Sequence, residues 1–417
     1  MNALLRLPAP VRFVAYALVG VFVLTLVQGA ADADGLTSIS ASQSMLRWAM
    51  PIMLAGLGGL YAERSGVVNI GLEGMMILGT WFAAWGAINY GPWWGLLIGI
   101  LGGALGGLLH AVATITFGVD HIISGVAINI LAPGTTRFLS SEIFANIKGG
   151  SVTQSPRVPG VGRVTAPILA GGSFFGWDSP DMLGRLGRWD WFFVSDLARL
   201  LRGLMTELSL LTIISLALVP FSAWLLWRTR FGLRLRICGE RPEAGESQGI
   251  DVYRYKYIAV IISGALAGMG GAFIASPELS GIYLEGQTTG RGFIGLAALI
   301  FGNWVPIGVL GGALLFGYPF GIGLRDLDGS ASRALLLLNA IALGCVAVWA
   351  VRGKRTVDAG IGVGLGVLSL LWYLTADSVP DWWTNVFPYV IVLVVLFFFA
   401  QRLRPPAAAG LRYRRSS

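Results

Sequence analysis

Tyr61-Ala-Glu-Arg-Ser-Gly-Val-Val-Asn-Ile-Gly-Leu-Glu-Gly-Met-Met76 is a polar, glycine-broken stretch set between two apolar runs. Drawn as one helix, residues 44–90 would extend about 70 Å, because a helix rises ~1.5 Å per residue. A bilayer's hydrocarbon core is about 30 Å thick and is crossed by about 20 residues. The pattern must therefore break, and Ser65-Gly66 is where these residues allow it. Backbone freed at membrane depth has to be buried in protein or line a water-filled cavity, and transport proteins build pathways from such breaks. A solute pathway is the first functional reading.

Composition points the same way. The 417 residues are 55% hydrophobic and only 12% charged, with a mean hydropathy of +0.71. A soluble domain carries about twice that charged fraction. The apolar runs are long and do not alternate, unlike the roughly ten-residue, period-two strands of a membrane barrel. The expected fold class is an all-α polytopic membrane protein, with about 10–12 transmembrane helices and broken or re-entrant segments. Candidate spans fall near 12–30, 44–61, 71–89, 93–117, 121–136, 207–227, 257–277, 290–302, 306–325, 335–351, 359–375 and 384–400. The pairs Gly102/Gly106, Gly103/Gly107 and Gly264/Gly268 suit helices that pack closely through small faces. Gly302-Asn-Trp-Val-Pro306 reads as a tight turn or partial re-entry between two short spans.

The formal charge of +8 does not signal nucleic-acid binding, because the basic residues gather in loops on one side of a single topology. Segment 228–256 holds seven of them, and Arg352-Gly-Lys-Arg355 and the tail hold more. Segments 31–43 and 376–383 carry Asp32, Asp34, Asp377 and Asp381 and no Lys or Arg. Both termini are expected in the cytoplasm of a bacterial inner-membrane protein. The first run could be a signal peptide, with small residues for cleavage in Gln28-Gly-Ala-Ala-Asp-Ala, but an uncleaved span gives the other spans one consistent orientation. Cys238 and Cys345 form no disulfide framework and read as free thiols.

Within one permease domain, segment 137–206 reads as an external loop insertion. Trp189-Asp-Trp-Phe-Phe193 leads there into a basic amphipathic stretch, suiting either an interfacial cap or a platform for an external partner. Segment 228–256 is too long for a turn and too punctuated for a span. Pro242 with Glu243 and Ala244 marks a helix start and Gly249 its stop.

Three stretches carry a family resemblance: Gly58-Gly-Leu-Tyr-Ala-Glu-Arg-Ser-Gly through Met75, Gly232-Leu-Arg-Leu-Arg236 through Pro242 to Gly249-Ile250, and Ser263-Gly-Ala-Leu-Ala-Gly-Met-Gly-Gly-Ala272. Gly290-Arg-Gly-Phe293 and the tail Pro405-Pro-Ala-Ala-Ala-Gly-Leu-Arg-Tyr413 add weaker support. The chain resembles a permease subunit of ATP-binding-cassette importers, in the nucleoside and simple-sugar branch related to branched-chain amino acid and ribose permeases. The resemblance implies three protein partners: an ATPase subunit, a second permease subunit and an extracytoplasmic solute-binding protein. It also makes 228–256 the coupling segment, with Arg236, Glu240, Glu243, Ala244 and Gly249 at the ATPase docking site. The chain departs from the family in having Ala244-Gly245 for paired alanines and Asp120-His121 for Asn-Glu. Residues 326–383 look like a two-helix insertion.

The chain's own chemistry is consistent with borrowed energy. Its lysines are Lys148, Lys256 and Lys354, and none stands in the Gly-x-x-x-x-Gly-Lys-Ser/Thr setting that cradles phosphates. Gly290-Arg-Gly-Phe-Ile-Gly295 matches a dinucleotide fingerprint but follows no strand. His110 and His121 lack the company of a metal site or triad, so no metal, cofactor or catalytic residue is expected. Pathway candidates are the polar residues within or beside spans: Asn69, Glu73, Asn129, Glu285 and Arg291. Asn69 and Glu73 either face the solute or satisfy the backbone freed by the break. Branched-chain amino acids are an alternative cargo, and an ion-coupled carrier using Glu73 is an alternative mechanism.

Overall fold

The computed structural model describes residues 9–166, 169–174, 177–323, 330–353, 355–376, 379–380, 383, 386–387, 389–390 and 403–413. The expected span 384–400 lies largely outside them. Most of the described residues are helical, the strands being two residues long, and six helical stretches are long and apolar enough to cross a membrane. These are Pro92–Thr116, His121–Asn146, Leu210–Arg228, Val252–Ala275, Ser330–Arg352 and Thr356–Thr375, with shorter apolar helices beside them. The chain is a multi-pass helical membrane protein.

The break falls where the glycine is. Helix α1 covers Ala9–Ala31 and α2 Ile39–Arg64; α3, Leu72–Tyr90, begins only after seven residues of irregular backbone. Gly66 takes φ +88°, Val67 N–H reaches back to Ala62 O (3.1 Å) and Gly66 N–H to Glu63 O (2.9 Å). That is a Schellman end, which needs a left-handed residue where only glycine sits without strain.

The chain divides into two units. One gathers residues 47–162, 209–315 and 401–417. It contains α3, α4 (Pro92–Ala111, continued by a π-turn to Thr116), α5 (His121–Glu142), α8 (Leu210–Arg228), α9 (Arg230–Glu240), α10 (Pro242–Ser247), α11 (Val252–Ala275) and α12 (Arg291–Phe301). Its centre is α3, α4 and α11, packed backbone to backbone. A methyl group added at Gly107 would lie 2.6 Å from Val260 O, and one at Gly268 would lie 2.8 Å from Gly103 Cα. The expected small faces thus meet within one chain: Gly103 and Gly107 face Gly264 and Gly268, whereas Gly102 rests on Phe82 and Gly106 on Met75. Helix α12 has 11 residues, too few to span the hydrocarbon core alone. Its end turns at Gly302-Asn303-Trp304, with φ +51° at Asn303 and +55° at Trp304, into α13, Pro306–Gly323.

The other unit gathers residues 1–46, 163–208 and 316–400. Here α14 (Ser330–Arg352) and α15 (Thr356–Thr375) form a helical hairpin joined by an Asn339–Ser369 hydrogen bond (3.0 Å). Val27 and Leu36 share a buried cluster with Tyr318, Leu335 and Leu336. Segment 163–208 adds the short helices α6 (Met182–Gly187) and α7 (Val194–Gly203), the second strongly amphipathic as its sequence suggests.

Candidate functional site

The irregular residues 65–71 are almost wholly buried, so their backbone groups need partners inside the protein. The partners are side chains from α4 and α5 and from Asn69 within the break, which is itself held by α11. His110 Nε2 on α4 bonds Val68 O (3.0 Å), and His121 Nδ1 at the start of α5 accepts from Val68 N–H (3.3 Å). The other His110 nitrogen lies 2.9 Å from Ser124 Oγ. Asn129 on α5 donates to Ile70 O (3.0 Å) and accepts from Gly74 N–H (2.7 Å), clasping both sides of the step into α3. Asn69 accepts from Gly71 N–H (3.0 Å) and donates to Ser263 Oγ on α11 (2.9 Å). Asn69 and Asn129 thus hold the break in shape.

Glu73 serves a different interruption. Its two carboxylate oxygens accept Gly290 N–H (2.8 Å) and Gly292 N–H (2.6 Å) at the first turn of α12. An anion there meets the free N–H groups and the positive end of the helix dipole. Gly292 is obligatory at this contact, since a methyl group would lie 2.6 Å from Glu73 Cα. Arg291 is buried, stacks 4.3 Å from the Trp48 ring and donates to Thr288 O (3.1 Å) and Gln287 O (2.5 Å). Glu285 lies apart, paired with Arg137 (3.3 Å). The structure therefore brings Glu73 and Arg291 to one helix start, groups Asn69 with Asn129 at the break, and leaves Glu285 on the loop before α12.

A second cluster forms at the other end of α12. Trp304 Nε1 donates to Glu63 Oε2 (2.5 Å), and Arg64 donates to Trp304 O (2.7 Å). Arg64 also pairs with Glu240 (3.7 Å), the last residue of α9. Of the residues assigned to docking, Glu240, Glu243, Ala244 and Gly249 are exposed. Arg236 turns inward, donating to Leu226 O (3.0 Å) and stacking on Trp227. Gly249, at φ +76°, closes α10 with the same Schellman bonds seen at Gly66. Helix α9 abuts the break itself: a methyl group at Gly239 would lie 2.8 Å from Arg64 C and 3.0 Å from Gly66 N. Helix α9 and the roles of His110 and His121 escaped the sequence reading. The signal for α9 was Thr229, which accepts Gly232 N–H (3.1 Å) as its N-cap.

A helix broken at membrane depth and clasped by buried polar side chains is a feature of transport proteins. Residues 42–325 match the family described as branched-chain amino acid transport system / permease component, and the chain belongs to that family. It is similar to the guanosine ABC transporter permease protein NupQ of Bacillus subtilis, 38% identical over 66% of this chain and 78% of the relative. It is similar to the nucleoside ABC transporter permease protein NupC of Lactococcus lactis, 34% identical over 89% and 96%. The putative glucose ABC transporter permease protein TsgC13 of Haloferax volcanii is 33% identical over 66% and 74%. No solved structure matches. The chain is a membrane permease subunit of an ABC transporter.

Proposed function

We propose that this permease carries a nucleoside across the bacterial inner membrane, with both termini in the cytoplasm and its energy supplied by a separate ATPase subunit. The observation that supports this most is the pair α9–α10. It is helical but outside every long apolar stretch, it leaves Glu243, Ala244 and Gly249 exposed for a soluble partner, and it packs on the break at Gly66. Closure of a dimeric ATPase would move α10, and the contact of Gly239 with Arg64 and Gly66 would pass that motion to α2 and the break. A second permease would supply the other half of the pathway, and an extracytoplasmic solute-binding protein would deliver the cargo.

The similarity to a guanosine permease and a nucleoside permease, and the greater chain coverage by NupC, support a nucleoside over a sugar or a branched-chain amino acid. A neutral, hydrogen-bonding solute also suits a core in which both Glu73 oxygens are engaged by backbone N–H groups. An ion-coupled carrier would need a carboxylate free to bind its ion.

The test is reconstitution of this chain with the ATPase and second permease of its importer, followed by radiolabelled guanosine uptake into proteoliposomes. Uptake should require ATP and co-purified ATPase. Uptake that survives ATP depletion and collapses with a proton or sodium gradient would overturn the reading.

A further inference from the structure

The tail motif at residues 405–413 has no role in the pathway or in the exposed docking surface, yet it is bonded to both. After residues 316–400 the chain returns to the unit that holds the break. Arg404 N–H donates to Asn303 Oδ1 (2.8 Å), Ala407 N–H to Glu240 Oε2 (3.2 Å) and Ala408 N–H to Gly239 O (2.8 Å). Gly410 N–H then donates to Gly66 O (3.1 Å), the carbonyl of the left-handed residue that makes the break. Gly410 is itself left-handed, at φ +79°. Tyr413 OH donates to Glu246 Oε2 on α10 (2.6 Å), its ring lying 5.6 Å from Tyr253 and 5.5 Å from Lys256 Nζ. One segment of ten residues thus bonds the end of α9, the helix break and the exposed helix α10 in sequence.

We propose that residues 404–413 are a positioning strap through which displacement of α10 reaches the break at Gly66, with Tyr413 and Gly410 as its two anchoring residues. This rests on the ATPase-coupled reading above. The segment is folded into turns, with Ala409 N–H donating to Pro406 O (3.1 Å) and Leu411 N–H to Ala408 O (3.2 Å). It therefore passes a displacement from one anchor to the other as a unit, and the hydrogen bonds at its ends must lengthen before it can move independently. A tail that only covered α9 would need neither the Gly66 bond nor the Glu246 bond. The bond from Tyr413 to a carboxylate belongs to the stronger, charge-assisted kind.

The experiment uses the full complex in proteoliposomes and reads guanosine molecules moved per ATP hydrolysed. Tyr413→Phe removes only the hydroxyl, and Gly410→Val strains the left-handed position. Both variants should keep the ATPase bound and hydrolysing at the wild-type basal rate. Each should lower the transport-to-hydrolysis ratio about tenfold, the scale set by one hydrogen bond to a charged group. Glu246→Gln, which keeps an acceptor but loses the charge, should lower the ratio by less than Tyr413→Phe. An unchanged ratio in Tyr413→Phe overturns the strap. So does loss of ATPase co-purification in that variant, which would make the tail part of the docking surface. Failure of the wild-type chain to bind any ATPase would instead overturn the proposed function, so the two failures are distinct.

Discussion

Asn129 does for the break what a β-sheet neighbour does for a strand: it offers one acceptor and one donor to backbone that has lost its helical partners. Leucine in its place would strand the Gly74 N–H and the Ile70 carbonyl in a buried setting. Each orphaned group costs about 1–3 kcal/mol. Asn129→Leu should therefore lower the melting temperature in detergent by several degrees, whereas Asn129→Gln, which keeps both an amide acceptor and an amide donor, should lose less. Equal losses in a thermal-shift assay would mean the side chain only fills space. Cys238 offers a pH test at the same scale. Burial pushes its thiol up to about 11, against the opposing pull of the Lys256 ammonium. Thiolate is the reactive form, so alkylation at pH 8 should be slow and should quicken roughly tenfold per pH unit until it levels off near that value. Fast labelling of Cys238 at pH 7 would show that α9 opens away from the break. Asn69, Glu73 and Asn129 were legible in the sequence as polar residues in apolar surroundings, but what they bind was not. Glu73 reaches backbone N–H groups more than 200 positions away, at Gly290 and Gly292, which no local pattern encodes. The two histidines were weighed only against metal and triad chemistry, and their work as clasps of Val68 depends on the fold.

Small residues set the spacing between helices. Lipid tails are as apolar as leucine, so helices in a membrane gain little by hiding apolar surface from each other and depend on close contact instead. The α4–α11 seam shows this, with glycine meeting glycine backbone at Gly103, Gly107, Gly264 and Gly268. Gly268→Ala puts a methyl group 2.8 Å from Gly103 Cα, with backbone rather than a mobile side chain in the way. It should cost about 1–3 kcal/mol, the range for overpacked interiors. Gly344→Ala, on α14 with nothing within 4 Å of the new methyl, should be neutral or mildly stabilising by helix propensity. Size-exclusion profiles and melting curves of the pair decide the matter, and equal stability would contradict the packing. This seam was legible from spacing alone, because the Gly-x-x-x-Gly pairs announce a close face. Which faces would meet was not, since Gly102 and Gly106 carry the same spacing and rest on Phe82 and Met75 instead. Helix ends were legible for a related reason: Gly66 and Gly249 are the left-handed residues that Schellman ends require. The turn expected at Gly302-Asn-Trp-Val-Pro306 is a third such end, with Asn303 rather than glycine in the left-handed position.

At the scale of the molecule, the family match ends at residue 325, where the chain is still threading the unit formed by residues 1–46, 163–208 and 316–400. The α14–α15 hairpin beyond it satisfies its own polar groups. Asn339 bonds Ser369, and Arg333 donates to Tyr373 O (3.0 Å) and stacks on the Tyr373 ring. A pair of antiparallel spans enters and leaves by the same face, so removing both preserves the side on which the following chain emerges. Deleting residues 326–383 would bare Val27, Leu36 and Tyr318, which forfeits the packing of their shared cluster. The deleted protein should therefore insert, keep the tail at Gly66 and Glu246, and bind the ATPase, with a lowered melting temperature as the main change. Co-purification of the ATPase with the deletion variant checks this, together with protection of Cys238 from alkylation. Loss of both would make the hairpin part of the transport core, not an addition to it.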